Sequence, residues 1–469
     1  MKLNDVPADI RSELLPSHRA RMVYECIDCG RTYPLEQFLY TCPECAQLLR
    51  IVDTAFDDLK RIPASRWRMI FDYRKMLNID ALKGIFLFHE LIFPSIPMDD
   101  VIFLGEGHTP MVPANEELRA WAGIPFRVKY DGLNPSASFK DRGMASAISF
   151  INYMSKRHGI RDLLGICAST GDTSAAAALY LSYLAKDQVH SVVLLPQGNV
   201  TPAQLAQPLG SGATVIEIPG VFDDCMRIVE ELADEYEVCL LNSKNPVRIQ
   251  GQKSYAYEVA QQLDFELDHV VVVVPIGNAG NVTAIMEGFL DLYRLKIITQ
   301  LPLIVGVQSA HANPVILWRQ TGSYTPVKVR PSVAQAAMIG NPVSFPKVSR
   351  LVTDFYEDRF LAVQVTEQEI IEGMLIANRH GHVVCTQGGE SIAGLKRALQ
   401  TGAIRHDHRV VVNSTAHQLK FAGFQQMYFD DTFPADYEIE PRDSLRNMPV
   451  AMEASSAVIA EYLGLKRKQ

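Results

Sequence analysis

Residues 270 to 281 read VVVVVPIGNAGN, and no other stretch restricts the fold so tightly. A β-branched run without polar alternation is a strand buried on both faces, the situation of a parallel sheet covered by helices. The run ends in a glycine-containing turn, Pro275 to Asn281, and a segment of helical periodicity follows from Val282 to Leu292. Strand, glycine turn and helix in that order make an anion cradle. Glycines let backbone N–H groups close on a phosphate, and the helix dipole adds attraction. The spacing is not G-x-G-x-x-G, so a nicotinamide enzyme gains no support.

Short β-branched runs alternate with amphipathic segments throughout the chain beyond Val101, the pattern of open α/β sheets with mainly parallel strands. Strands are expected at Phe126–Tyr130, Val189–Leu195, Ala213–Ile218, Val270–Pro275, Leu303–Val307 and Arg409–Asn413. Helices are expected over Met144–Met154, Thr173–Lys186 and Val221–Tyr236, the last with Phe222, Cys225, Ile228, Val229, Leu232 and Tyr236 on one face. A chain of 469 residues exceeds what one core usually supports. Arg50 to Asp100 reads as mostly helical. After Phe421 the chain turns acidic, a solvated arm that ends in a helix near Ala451 to Leu463.

Of eight cysteines, four crowd the front as Cys26-x-x-Cys29 and Cys42-x-x-Cys45, separated by twelve residues. Two such turns facing each other supply the four tetrahedral sulfur ligands that Zn2+ prefers. A segment this short buries little apolar surface, so a structural metal would supply the missing stability. A saturated four-sulfur site leaves no position open for substrate. Cys167, Cys225, Cys239 and Cys385 sit in apolar surroundings and read as small core residues.

Four polar clusters fall where strands end and helices begin, the place where open α/β sheets gather ligands. Lys140 lies in Asn134-Pro-Ser-Ala-Ser-Phe-Lys-Asp-Arg-Gly143. A lysine held among small and apolar residues can lose its proton and condense with an aldehyde; taken alone, the same residue reads as a solvated surface lysine. Ala168-Ser-Thr-Gly-Asp-Thr173 opens a helix, either as a plain cap or as an anion site. The glycine turn Gly277-Asn-Ala-Gly-Asn281 is the third cluster and Asn413-Ser-Thr-Ala-His-Gln-Leu-Lys-Phe421 the fourth. His417 in the fourth reads as structural rather than as a base.

These strings resemble those of threonine synthases: S-F-K-D-R-G at 138 to 143, G-N-A-G-N at 277 to 281, and S-T-A-H-x-L-K-F at 414 to 421, where Gln418 stands in place of the usual glycine. Asn242-Ser-Lys-Asn-Pro-Val-Arg-Ile-Gln-Gly-Gln252 resembles the family's N-S-x-N-P-x-R-x-x-G-Q element, and Gly105-Glu-Gly-His-Thr-Pro110 and Ile339-Gly-Asn-Pro342 resemble two further family loops. The resemblance implies a fold type II pyridoxal-phosphate (PLP) enzyme, two open twisted α/β sheets behind a zinc-ribbon-like module. Residues 20–50 would form the module, 51–100 a helical linker, 101–140 and 255–421 the larger cofactor-binding domain, 141–254 a smaller substrate domain, and 422–469 a C-terminal extension.

It also implies roles. Lys140 would carry the cofactor, with Asp172 at its 3-hydroxyl, Gly277, Asn278, Ala279, Gly280 and Asn281 around its phosphate, and Thr415 at its ring nitrogen. Ser169, Thr170, Thr173, Asn242, Ser243, Arg248 and Asn278 would hold the substrate, O-phospho-L-homoserine. Arginine with amide and hydroxyl donors suits a phosphate, which the related serine/threonine dehydratases do not need to hold. The expected assembly is a homodimer. A net charge of -8 argues against nucleic acid as partner, and no apolar run is long enough to span a membrane. The charged start lacks a secretory pattern, so a cytoplasmic location is expected.

Overall fold

The valine run lies at the middle of a parallel sheet, with Val270 to Val274 each at most 2% exposed. The structure is a computed structural model and describes residues 1–18, 21–169, 171–185, 189–197, 202–220 and 222–467. A small antiparallel sheet comes first, β1 (Met22–Cys26), β2 (Thr32–Tyr33) and β3 (Leu49–Asp53), with β1 in the centre. Strand β3 runs on to Asp53, so the cysteine module reaches past residue 50. Next come β4 (Met111–Pro113) and β5 (Phe126–Tyr130). Between them and the valine strand four strands build a separate parallel sheet: β6 (Leu163–Ala168), β7 (Val189–Pro196), β8 (Thr214–Ile218) and β9 (Val238–Leu240), in the order β8-β7-β6-β9.

The chain then returns with β10 (Val270–Pro275), β11 (Leu303–Ser309), β12 (Phe360–Val365) and β13 (Arg409–Ser414), giving the order β12-β11-β10-β13-β5-β4. All neighbours in it are parallel except the β4 edge. Val273 on β10 stands opposite Val305 on one side and Val412 on the other, so the β-branched runs pack side by side. From β10 the chain moves outward to β11 and β12, then crosses to β13 on the opposite side. That reversal opens a crevice at the strands' C-terminal ends.

Helices α1 (Ala64–Met76), α2 (Lys140–His158), α3 (Asp172–Leu181), α4 (Phe222–Glu235), α5 (Pro246–Gln252), α6 (Gly280–Arg294) and α7 (Thr386–Gln400) are those that matter for the site and its support. Helix α4 buries Cys225 and Val229, whereas Tyr236, one residue past its end, is 61% exposed rather than on the core face. The segment after β3 consists of α1, several 3-10 turns and one short α-helical turn, His89–Ile92. It is pinned by Arg74, whose guanidinium reaches Glu90 through two contacts of 2.6 Å and Leu14 O at 2.8 Å, all buried. The cysteine module docks on the edge of the smaller sheet: the Tyr40 hydroxyl donates to Val238 O at 3.0 Å and accepts from Leu240 N at 2.9 Å. The acidic arm ends in an exposed helix, Ser456–Tyr462. No helix among the described residues is long and apolar enough to cross a membrane.

Candidate active site

Each of the polar clusters follows the C-terminal end of a parallel strand. Lys140 lies beyond β5, the Ser169–Thr173 turn beyond β6, Asn242 to Arg248 beyond β9, the glycine turn beyond β10 and Thr415 beyond β13. Because β10, β13 and β5 are adjacent, three of those loops meet at one crevice. A cavity there is lined by Lys140, Asp172, Ser243, Arg248, Gly277, Asn278, Ala279, Gly280, Asn281 and Thr415.

Lys140 is the first residue of α2, and backbone hydrogen bonds to the β13 loop fix its approach. Phe139 N donates to Thr415 O at 2.8 Å and His417 N to Ala137 O at 3.0 Å, with Ala137 in the left-handed region at φ 65°. The Lys140 ammonium lies 4.4 Å from the centre of the Phe139 ring. Burial, and then the Arg248 guanidinium, lower its pKa to about 8, against the opposing influence of Asp172 and Cys167. An amine so placed is a nucleophile near neutral pH. The next residue, Asp141, is buried; its carboxyl is pushed up to about 7 by burial although it accepts from Ser136 N at 2.6 Å.

The glycine turn has the shape of a cradle. A Cβ at Gly277 would come within 2.9 Å of Ala337 Cα and 3.0 Å of Ala336 O, so only glycine fits. Ala279 takes a left-handed conformation, φ 62°, and leads into α6 with the first amides of that helix facing the cavity end. Asn278 is tied to the next loop, accepting from Ser344 N through its carbonyl at 3.0 Å. Asn281 Nδ2 donates to Asn413 Oδ1 at 2.9 Å, which links this turn to β13.

Arg248 stands on α5 and is 2% exposed. Its Nη1 donates to Leu241 O at 2.9 Å, its Nε has no partner, and burial lowers the guanidinium to about 10. Among the described residues no carboxylate pairs with it. Asn245 caps α5 by accepting from Val247 N at 2.9 Å, and α5 packs so closely on α2 that a Cβ at Gly251 would overlap Arg142 O. That approach sets Arg248 beside Lys140.

Other proposed substrate residues are arranged differently. Asn242 is buried, and its amide is taken up by Ala168, accepting from Ala168 N at 2.9 Å and donating to Ala168 O at 2.6 Å. It joins β9 to β6 and does not line the cavity. Ser243 does. Ser169 Oγ accepts from Gly171 N at 3.2 Å, and Thr173 is half-buried in the first turn of α3, outside the cavity lining. Thr170 lies outside the described residues. Asp172 begins α3 and pairs with Lys420 at 3.0 Å. His417 Nδ1 accepts from Leu419 N at 3.2 Å, a structural use, while Gln418 donates to Gln425 at 2.6 Å.

The motifs did not disclose several neighbours of the site. Gln387 on α7 and Gln252 on α5 line the cavity, both buried, and both atoms of the Gln387 amide lack a partner. Beneath α2, Arg142 contacts Asp131 at 2.8 Å and Glu258 at 2.5 Å, and Lys129 reaches Glu258 at 2.7 Å, all at most 1% exposed. These partners lie 11 to 129 positions apart, so no local spacing could have shown them. A separate cavity of about 480 Å3 lies at the opposite end of the sheet, against the first residues of β10 and β11 and remote from these groups.

In the cysteine module the sulfurs of Cys26, Cys29, Cys42 and Cys45 all lie within 4.8 Å of one another. Cys26 to Cys45 is 3.4 Å, Cys29 to Cys42 3.7 Å and Cys29 to Cys45 3.8 Å. A tetrahedron of sulfurs about 2.3 Å from a zinc ion has edges of about 3.8 Å, so the set is spaced for one metal ion.

The crevice fits a phosphorylated aldehyde. A buried amine with a lowered pKa faces it, a glycine-only turn opens on it, and, among the described residues, Arg248 Nε and the Gln387 amide that line it have no partner. The architecture is that of the pyridoxal-phosphate dependent enzymes, whose family model matches residues 102–416. The threonine synthase of Methanocaldococcus jannaschii is 36% identical over 409 residues, 85% of this chain and 93% of that relative. That of Mycobacterium tuberculosis is 37% identical, covering 78% and 91%. Among solved structures, Escherichia coli threonine synthase superposes with a TM-score of 0.65 at 17% identity over 95% of this chain and 99% of that one, and maize serine racemase with 0.56 at 14% over 75% and 97%. The last two share the fold. With relatives this similar over most of its length, the chain belongs to the threonine synthases, PLP-dependent lyases of amino-acid biosynthesis.

Proposed function

We propose that this chain converts O-phospho-L-homoserine and water to L-threonine and inorganic phosphate. The supporting observation is Arg248, a buried guanidinium beside Lys140 with no carboxylate partner among the described residues. A dehydratase of unphosphorylated amino acids would gain nothing from a cation buried at this cost, whereas a phosphoryl group would satisfy it through charge-assisted hydrogen bonds.

Pyridoxal phosphate, when bound, supplies an electron sink that stabilises negative charge next to the amino-bearing carbon. Lys140 holds it covalently, with Gly277, Asn278, Ala279, Gly280 and Asn281 at its phosphate, Asp172 at the 3-hydroxyl and Thr415 at the ring nitrogen. The neutral Thr415 hydroxyl would make that sink weaker than a carboxylate partner would. Ser169 and Thr170 hold the substrate carboxylate end, and Arg248, Ser243, Asn278 and Thr173 the substrate phosphate. Asn242 takes part by fixing the strand ends that carry Ser243, since its own amide is engaged. Once released, the Lys140 amine moves protons: it takes one from Cα, and its buried position keeps that proton available for return to carbon. In balance, Cβ loses a proton, the Cγ–O bond breaks with its electrons leaving on phosphate, Cγ gains a proton, and water adds its hydroxyl at Cβ while its other proton goes to the released phosphate.

Residues 101–140 and 255–421 carry the cofactor in this reading and 141–254 the substrate. The four-cysteine set holds a structural Zn2+, and a cytoplasmic homodimer is the expected form. The deciding experiment incubates purified protein, PLP and O-phosphohomoserine and follows phosphate and threonine together. Equal release of both is expected. Formation of a 2-oxo acid and ammonia from serine or threonine, without threonine from the phosphorylated substrate, would replace the proposal by a dehydratase.

A further inference from the structure

Lys420 belongs to none of the roles above and does not itself line the cavity, yet its ammonium pairs with a residue that does. It lies just beyond β13, past the loop that carries Thr415, and its Nζ reaches Asp172 Oδ1 at 3.0 Å on the far side of the crevice. Both side chains are largely sheltered, 14% and 10% exposed. The pair therefore joins the larger sheet's β13 loop to the first residue of α3, which belongs to the smaller sheet.

The charges give the contact a second consequence. Asp172 lines the same cavity as Lys140 and the glycine turn. An ionised carboxylate donates no hydrogen bond, and without a counter-charge it would repel a cofactor that carries a phosphate and an ionisable ring hydroxyl. We propose that Lys420 is a positioning residue for the cofactor: it cancels the Asp172 charge at the cavity and ties the two sheets together across the bound ring. The inference rests on the assignment of this cavity to PLP.

Charges facing the site come from several elements. Arg248 on α5, Asp172 on α3 and Cys167 on β6 act on Lys140, and Lys420 also acts on Asp141 of α2. Removing Lys420 leaves Asp172 as an uncompensated anion, which favours the ammonium form of Lys140.

The test is a double-mutant cycle read by the dissociation constant of PLP, measured by equilibrium dialysis on the full chain after cofactor removal. Lys420→Met is expected to weaken binding about tenfold, the order of effect of stranding a partly buried charge. Whatever Asp172→Asn costs on its own as a cavity-lining residue, the double variant should match it, since the lysine then has nothing to cancel. The pH at which the bound cofactor's visible absorbance half-develops should rise in Lys420→Met and fall back in the double variant, a readout that a merely structural contact would leave unmoved. Lys420→Arg, which keeps the charge, should bind within about threefold of the parent. Losses that simply multiply in the double variant, an unshifted absorbance transition, or parent-like binding by Lys420→Met would each overturn the proposal. Failure of the unmodified protein to bind PLP would instead overturn the cofactor assignment beneath it.

Discussion

Replacing Arg248 by methionine tests the second phosphoryl site most directly, because the structure fixes opposite signs for stability and activity. The guanidinium is buried, has one hydrogen bond to Leu241 O and is held near 10 by burial, against 12.5 when unperturbed. A depression of that size corresponds to about 3 kcal/mol of unfavourable charge burial at neutral pH. Methionine fills similar volume without a charge, at the loss of one hydrogen bond of about 1 kcal/mol. The cofactor-free protein is therefore expected to melt at the same temperature or higher. Activity should move the other way. Truncating one partner of a buried charge pair costs roughly 2–5 kcal/mol, so kcat/KM for O-phosphohomoserine should fall about 30-fold or more. Because Arg248 also lowers Lys140, the pH at which the cofactor's visible band develops should rise from near 8. Steady-state phosphate release, a thermal melt and a spectral pH titration read the three effects separately. A loss of kcat/KM under about threefold would refute the assignment of a phosphoryl group to this guanidinium.

Lys140→Ala should abolish the cofactor's visible band and lower turnover by at least about 1,000-fold, checked by absorbance and a discontinuous threonine assay; retained turnover would point to another amine. Asp141→Asn should raise the melting temperature more at pH 8 than at pH 5. Its carboxyl, raised to about 7 in the fold, costs stability progressively as pH rises from the unfolded value of 3.8 to 7, and the amide removes that cost while keeping the acceptor for Ser136 N; equal gains at both pH values would contradict this. One zinc per chain is expected by elemental analysis, and Cys42→Ser or a strong chelator should lower the melting temperature by several degrees without changing the cofactor spectrum. A metal-free protein of unchanged stability would remove the structural role.

The central strands were readable because strands covered on both faces need no polar alternation: the β10 and β13 positions follow directly from uninterrupted valines. Strands β6, β9 and β12 carried weaker signals. Gly165 interrupts the apolar run of β6, β9 spans three residues, and polar Gln364 lies inside β12. The cavity-lining loops announced themselves through glycine and proline turns at strand ends. What supports them did not, since Glu258 meets Lys129 and Arg142 only after the larger sheet has been completed from distant segments. Asn242 shows the converse limit. Its position in a phosphate-like motif suggested a ligand, whereas the fold uses both ends of its amide to join two strands. A motif names the neighbourhood, and the backbone decides which side chains remain free.

The docking of Tyr40 against β9 carries a consequence for handling the protein. Strand β9 lies at the margin of its sheet, and a bare margin is a template on which a second molecule can add a strand. The tyrosine hydroxyl occupies two of the groups such an intruder would need, and the four-cysteine module holds it there. With zinc on the four sulfurs as proposed, stripping it would release a guard as well as a brace, and turbidity would announce the change.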